Sequence, residues 1–221
     1  MNRASCVVAT LLIASGMFSA SAACAQGFRF SNETDNRAAE EAQRQERVRT
    51  LLATPCLAKI KNQKIMVVIG ENRNGMVLAK QSAYDPHFEA INSRLRALGL
   101  RTYTPAEIRA QVAQAEIDAF FRNDPDAAIS ASRRLAAQYI LRGLIDTQMM
   151  RNPIVNVNQV VVRLDFVLTG SNGRTISQAQ AVNESYAGRD VLGMAKTLLD
   201  ERAEEVVAQL YSDYCRSAGI K

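Results

Sequence analysis

The chain has 221 residues, a formal net charge of +5 at pH 7 and only 6% aromatic residues. Its basic residues are scattered among acidic ones rather than gathered in a stripe, which is typical of solvated helix faces. Because nucleic-acid-binding proteins concentrate positive charge and often add aromatic side chains for base stacking, this composition argues against a nucleic-acid partner. The length allows one ordinary domain with appended segments.

The first 25 residues have the pattern of a secretory signal peptide. Arg3 gives a positively charged start, residues 7–18 form an apolar segment too short to span a bilayer, and small residues lead up to Ala25. We therefore expect residues 1–25 to be removed on export, with cleavage after Ala22 as the alternative. The expected location is the periplasm of a Gram-negative bacterium, with association with the outer membrane as a further expectation.

A second interpretation of the same segment is a lipid anchor. Residues 21–24, Ser-Ala-Ala-Cys, resemble a bacterial lipobox, although serine stands where leucine or a similar apolar residue is usual. Lipidation of Cys24 is therefore an alternative to simple cleavage, and it is the one route by which we expect the chain to be held at a membrane. No other stretch of the sequence is long and apolar enough to predict a membrane helix.

Two of the four cysteines, Cys56 and Cys215, remain after removal of the signal peptide. In an oxidising compartment a remaining pair usually forms a disulfide, so we predict this bond. It would join the segment before the first strand to the end of the last helix. Two free buried thiols are the alternative.

Residues 26–55 are predicted to form an N-terminal helical arm, and residues 56–221 a single domain. Residues 35–52 are rich in Ala, Glu, Gln and Arg, a composition that favours a helix. The apolar stripe of this helix is thin. It therefore predicts a helix that lies on a surface or meets a partner.

The domain is expected to begin with a buried strand at residues 65–69, a continuous apolar run of strand length. Residues 71–81 are then predicted to be a polar loop. Three helices are predicted to start where an N-cap side chain precedes proline, at Asp85-Pro86, Thr104-Pro105 and Asp124-Pro125. Glu107 adds a capping box to the second helix, and residues 100–103 form a short strand before it.

A long hairpin follows these helices. Residues 139–145 predict a buried strand. In residues 160–169 every second side chain is apolar, and the side chains between them are a mixture of apolar and polar ones, as in a strand with one face on a core. Asn172-Gly173 suits the tight turn, because both residues tolerate a positive φ. Residues 175–182 return as a more polar partner strand, which predicts a position nearer the edge of the sheet.

The last element is a helix over residues 191–214, for which Asp190 is the candidate cap. The predicted order is β-α-β-α-α-β-β-β-α. It indicates an α/β (α+β) fold with a single mixed sheet and helices packed on it.

Two short motifs in the hairpin region carry a family resemblance. The strand predicted at residues 139–145 matches a Tyr-hydrophobic-hydrophobic-x-Gly-x-Ile pattern at Tyr139, Ile140, Leu141, Gly143 and Ile145. The turn region of the hairpin contains Thr169-Gly170. The chain thereby resembles bacterial envelope proteins that include the curli secretion channel protein CsgG, the penicillin-binding-protein activator LpoB, the amino-terminal domain of TolB and the flagellar assembly protein FlgT. Ala137-Gln138 departs from the Ala-Asp of that pattern. The resemblance implies a fold, an envelope location and a role in protein interaction, and it brings no catalytic residues.

The sequence shows no catalytic, cofactor-binding or metal-binding cluster. His87 is the only histidine, and we expect it to be an exposed residue in the first turn of its helix. Asp146, Asp165 and Glu184 lie on or near the strands. They are either outward-facing charges that keep a sheet edge soluble or, in the alternative, a converging carboxylate site.

Candidate interaction residues flank Asn152-Pro153 in the link between two strands; they are Met149, Met150, Ile154 and Val155. If they are exposed, they form an adhesive loop suited to a protein partner; if they are buried, they belong to the core. Sequence alone leaves these two interpretations equal.

The function predicted from these features is that of a non-enzymatic periplasmic or outer-membrane-associated accessory protein. It would assist envelope assembly or secretion through contacts with other envelope proteins. A small periplasmic hydrolase with a carboxylate site on the sheet is the alternative. The thin arm and the edge-like return strand also suit a homo-oligomer such as a ring, whereas a monomer whose arm docks on its own domain is the simpler expectation.

Overall fold

The computed structural model describes residues 31–73, 75–81, 85–187 and 191–217. The chain divides into two compact units, Met1–Ala38 and Ala39–Lys221. Within the first unit, the described residues 31–38 are helical. The predicted signal peptide, the candidate lipidation site Cys24 and the candidate cap Asp190 lie outside the described residues.

The elements follow one another in the order α1 (Ser31–Leu52), α2 (Leu57–Ile60), β1 (Lys64–Arg73), β2 (Met76–Leu78), α3 (Asp85–Ala97), β3 (Arg101–Thr102), α4 (Pro105–Gln111), α5 (Gln114–Phe121), α6 (Pro125–Leu135), β4 (Tyr139–Arg151), β5 (Asn158–Gly170), β6 (Thr175–Ala187) and α7 (Val191–Ser217). They confirm the predicted fold class, because the six strands of the described residues form one mixed sheet with helices packed on it.

The sheet has the order β2-β1-β4-β5-β6, and β3 pairs with the same side of β1 as β2 does. β1 runs parallel to β3 and β4, whereas the pairs β1–β2, β4–β5 and β5–β6 are antiparallel. The prediction that residues 65–69 form a central strand buried on both faces is confirmed, since all five side chains are buried. The return strand β6 is an edge strand, as the polarity of its sequence predicted.

Helices cover the two faces of the sheet to different extents. Leu141 of β4 lines a small apolar cavity with Leu95 of α3 and Leu210 of α7, so α3 and α7 pack on that face. Arg142 points to the opposite face and donates to the carbonyl oxygen of Phe120 in α5, at 3.0 Å. α5 therefore lies on the face of the sheet opposite α3 and α7.

The second face is open to solvent over β5 and β6. Along β6, side chains alternate between buried and exposed positions: Ser177, Ala179 and Ala181 are buried, whereas Gln178 and Gln180 between them are exposed. α7 makes its main sheet contacts with β6, which accounts for the buried set. One half of the sheet is consequently a layer with a helix on one side and water on the other.

Residues 71–81 were predicted to be a polar loop, and this prediction is wrong. β1 continues to Arg73, and β2 pairs with it through the register Arg73↔Met76. Gly75 turns the chain with a φ of 83°, and its N–H donates to the side-chain oxygen of Asn72 at 3.0 Å. A tight hairpin needs such a left-handed residue, and glycine adopts this conformation without steric cost.

Gln81 completes this edge of the sheet with its side chain. The buried amide accepts from the N–H of Ile69 at 3.0 Å and donates to the carbonyl of Ile69 at 2.9 Å. The side chain thus replaces the backbone of a neighbouring strand at the point where β2 has ended. Because an unpaired buried peptide group is costly, these two hydrogen bonds allow Ile69 to be fully buried although no strand pairs with it on the side opposite β4.

The capping predictions are confirmed at Thr104 and Asp124, but the second predicted helix is two helices. Thr104 and Glu107 form the expected capping box. The helix then ends at Gln111, because its C-cap residue Val112 has extended backbone angles. α5 begins with the side chain of Glu116 accepting from the N–H of Ala113 at 3.1 Å. Local capping chemistry thus starts both helices.

The second half of α1 docks on the domain. Val48 is buried, and Arg47 forms an ion pair with Glu205 of α7 at 3.2 Å. This part of the predicted arm, from Ala39 onward, belongs to the second compact unit. It corresponds to the simpler of the two expectations, in which the helix lies on its own domain.

Cys56 and Cys215 are joined as a disulfide, with their Cα atoms 5.6 Å apart. Both are buried in a small apolar cluster with Ile60 and Tyr211. The Tyr211 hydroxyl accepts from the N–H of Cys56 at 3.1 Å and donates to the carbonyl oxygen of Thr54. The disulfide therefore links the residue directly before α2 to the last turns of α7.

Candidate interaction surface

The loop between β4 and β5 has a defined shape because its own polar groups hold it. The side-chain oxygen of Asn152 accepts from the N–H groups of Ile154 and Val155, at 2.9 and 3.3 Å. The N–H of Asn156, which has a left-handed φ of 54°, donates to the carbonyl of Asn152 at 2.9 Å. Arg151 donates to the side-chain oxygen of Asn156 at 2.7 Å. The apolar side chains are therefore presented by an ordered turn.

All four candidate interaction residues lie at the surface. Ile154 is 89% exposed, Met149 57%, Val155 56% and Met150 51%. Val157, which the sequence analysis did not single out, is also exposed. The structure thus places these side chains at the surface and not in the core, and their role in binding a partner stays a prediction. We call Met149, Met150, Ile154, Val155 and Val157 the apolar tip.

The apolar tip is exposed because the hairpin extends beyond its neighbour. The last residue of β4 that pairs with β1 is Asp146, opposite Asn72. β4 continues for five residues to Arg151, a distance of about 17 Å at the usual rise of a strand. Met149 and Met150 point to opposite faces of this extension, and both are exposed. A partner can therefore contact the tip from either side.

The carboxylates Asp146, Asp165 and Glu184 occupy one face of the sheet at separate positions, opposite Arg163, Gln180 and Val161 respectively. Their positions in the register place all three on the face that is open over β5 and β6. Asp146 accepts from the amide of Gln148 at 2.9 Å, and Glu184 accepts from that of Gln159 at 3.1 Å. Each of these two carboxylates thus binds a neighbouring amide. This arrangement fits outward-facing charges on a solvated sheet face.

His87 lies in the first turn of α3 but is partly buried, so the expectation of an exposed side chain is wrong. Burial is the largest influence and lowers the pKa of the imidazole below its ordinary value of 6.5. Glu71 and Asp200 oppose this shift, whereas Lys196 adds to it. α3 packs along α7, and the charges of Asp200 and Lys196 in α7 act on this imidazole, which the sequence of α3 alone does not reveal.

Within the described residues, no group of three or more His, Cys, Asp and Glu side chains is arranged to hold a metal ion. Across the same residues, no helix combines the length and the apolar character needed to cross a membrane.

Sequence reasoning missed a second exposed apolar surface on β2. Met76 is 67% exposed, and Val77 and Leu78 are each 37% exposed. The available signal was the run of three apolar residues directly after Gly75, within a segment interpreted as a polar loop.

No protein-family model matches the sequence, and no curated protein matches it either. Among solved structures, the hypothetical protein CT253 from Chlamydia trachomatis has a TM-score of 0.50 at 13% identity, covering 71% of this chain and 99% of that one. The PelC dodecamer from Paraburkholderia phytofirmans has a TM-score of 0.38 at 14% identity, covering 66% and 88%.

The LpoB C-terminal domain from Salmonella enterica has a TM-score of 0.33 at 16% identity, covering 59% of this chain and 93% of that one. Of the four proteins named in the sequence resemblance, LpoB thus has a counterpart here, and the resemblance to CsgG, TolB and FlgT stays a prediction. The likeness to CT253 shows the fold alone, and the scores for PelC and LpoB are too low to carry an argument. This chain is therefore similar in fold to CT253 over 71% of its length.

Proposed function

We propose that this protein is a non-enzymatic accessory factor of the bacterial envelope, which assists assembly or secretion by binding other envelope proteins. The observation that carries the proposal is the apolar tip. Five apolar side chains project from an ordered hairpin that extends past the end of β1. Full burial of a side chain of this size contributes about 1.5–3 kcal/mol, so a partner that covered the tip would gain several such increments.

The shape of the tip supports protein binding in a second way. The turn is already held by Asn152 and Asn156, so little backbone freedom remains to be lost when a partner binds. A methionine side chain is flexible and can adapt to different partner surfaces. Met149 and Met150 place such side chains on both faces of the hairpin. A surface of this kind fits an apolar pocket or groove on another protein.

The envelope location rests on two features of the chain. Residues 1–25 have the pattern of a signal peptide, and the disulfide between Cys56 and Cys215 suits an oxidising compartment. Outer-membrane association through Cys24 is the alternative form of the same proposal.

Self-association is a further part of the proposal, and β6 supports it. This edge strand is 13 residues long, contains no Lys, Arg or Pro, and has Glu184 as its single charged residue. Proteins commonly protect exposed edges with such residues, because an unprotected edge pairs with other strands. Sedimentation of the exported protein over a range of concentrations measures whether copies associate.

Site-specific photo-crosslinking in intact cells tests the role of the tip. A photo-reactive amino acid replaces Ile154 in one strain and Leu57, an exposed residue of α2, in a matched control strain. We expect discrete crosslinked species from position 154 and none of the same size from position 57. The substitution Ile154→Glu should remove the association while leaving the unfolding temperature within error, because an exposed side chain contributes little to stability.

Equal crosslinking patterns from positions 154 and 57 would contradict the proposal. A substrate screen with the parent protein and the variants Asp146→Asn and Asp165→Asn distinguishes the hydrolase alternative from the accessory factor. Turnover by the parent protein that either substitution abolishes would favour the enzyme and not the accessory factor.

A further inference from the structure

β2 has a free edge whose backbone direction can be read from its neighbours. Gln81 bonds both backbone groups of Ile69 on the side of β1 where β2 lies. The backbone N–H and C=O groups of Glu71 and Arg73, at alternate positions, face the same side of β1 as those of Ile69. These two residues pair with Leu78 and Met76. In an antiparallel ladder the intervening residue of the partner strand points outward. The N–H and C=O of Val77 therefore face away from β1, toward the free edge.

A groove lies along this edge between β2 and α5, with a volume of about 820 Å³. Its apolar lining includes Val77 and Phe121. Phe121 packs directly over Gly70, where a Cβ atom would lie 2.8 Å from the ring and 3.1 Å from Val77. Because Gly70 has no Cβ atom, the ring of Phe121 packs directly against the sheet and forms the floor of the groove.

The charges around the groove are mostly positive. Lys80, Arg109 and Arg122 line it, and all three are exposed. Among the described residues, no acidic side chain forms an ion pair with any of them. Asp118 is the acidic residue that lines the described part of the groove, and its side-chain oxygen accepts from the amide of Gln114 at 2.8 Å. The groove therefore offers an apolar floor, an open backbone edge and a cationic rim.

We propose that this groove binds a short extended segment of another protein, which has apolar side chains at its centre and acidic side chains at its ends. The segment would pair with the outward N–H and C=O of Val77 and add a strand to the sheet. Its central side chains would cover Phe121, and its carboxylates would meet the rim of Lys80, Arg109 and Arg122. This site goes beyond the proposed role of the apolar tip, because it involves other residues and selects a partner by charge.

The test uses a fluorescent nine-residue probe with the centre Val-Thr-Val-Thr-Val and two aspartates at each end. Fluorescence anisotropy of the exported protein titrated into this probe should show saturable binding that weakens as salt increases. The probe with lysines in place of the aspartates should show none. The double variant Arg109→Glu/Arg122→Glu should weaken binding by about tenfold or more, since two favourable charges become repulsive.

The matched control is Lys59→Glu/Arg133→Glu, which changes the net charge equally at two exposed cations outside the groove and should leave binding unchanged. A second pair of variants tests the strand edge. Val77→Pro removes the outward N–H and should abolish binding without breaking the β1–β2 ladder, whereas Val77→Thr keeps both the N–H and the shape and should bind as the parent does. Thermal unfolding of each variant confirms that it is folded.

Three results would overturn the inference. The first is the absence of saturable binding up to millimolar protein, and the second is equal affinity for the probes ending in aspartate and in lysine. The third is a dimer in sedimentation that the variant Arg109→Glu/Arg122→Glu dissociates, because the occupant would then be a second copy of this chain. None of these results depends on the apolar tip, so they leave the proposed function untouched.

Discussion

Loss of the bond between Cys56 and Cys215 should remove a large part of the stability of the domain. The two residues are 159 positions apart, and the bond closes almost the whole described domain into one loop. For a loop of this length the chain-entropy model gives about 5 kcal/mol of stabilisation, exerted on the unfolded chain. Domains are commonly stable by about 5–15 kcal/mol, so a loss of about 5 kcal/mol is a third of the total or more.

The assay is equilibrium unfolding in guanidinium chloride, on three forms of the protein. These are the oxidised parent, the same parent held in a strong reductant, and the variant Cys56→Ala/Cys215→Ala. The reduced parent is the informative comparison, because it keeps both buried sulfur atoms and the hydrogen bonds of Tyr211, so packing changes little. The alanine variant loses further stability, since it also removes buried volume.

The reduced protein should be less stable than the oxidised protein by about 3–5 kcal/mol, with a steeper dependence on denaturant, because an unfolded chain without the crosslink is more open. A loss smaller than about 1 kcal/mol would refute the reasoning. So would complete alkylation of both thiols in protein taken from the periplasm without a reductant.

Two further predictions concern the core and the pH dependence. The substitution Gly143→Ala would place a Cβ atom 2.4 Å from the buried ring of Phe166, so we expect it to destabilise the protein by about 1–3 kcal/mol in the same unfolding assay. Adding Phe166→Leu should recover part of that loss, and an undiminished loss in the double variant would contradict the steric explanation. Because burial lowers the pKa of His87 in the folded state, the unfolded state takes up the proton first, and stability should fall as pH decreases through about 6.5. The variant His87→Gln should lose less stability than the parent between about pH 7.5 and about pH 5, and identical pH profiles would argue against this account.

Most elements of the fold could be predicted from local patterns in the sequence. The apolar run at residues 65–69, the alternation at residues 160–169 and the caps at Thr104 and Asp124 each identify an element through side chains that are close in the chain. Asn172-Gly173 marks the turn for the same reason, and Gly173 has the expected positive φ of 78°. Hydrophobic periodicity and capping chemistry act over a few residues, so a sequence displays them directly.

The tertiary structure alone decided which apolar residues are exposed. Met149 and Met150 follow a buried segment of the same strand, and their exposure results from the end of β1 at Arg73. Ile154 and Val155 lie in the loop that this extended strand carries. The groove beside β2 likewise depends on α5, whose Phe121 meets Gly70 from a distant part of the chain. A strand covered by neighbours and a strand that extends past them can have the same local pattern. Exposure depends on where other elements stop, and that is a property of the assembled sheet.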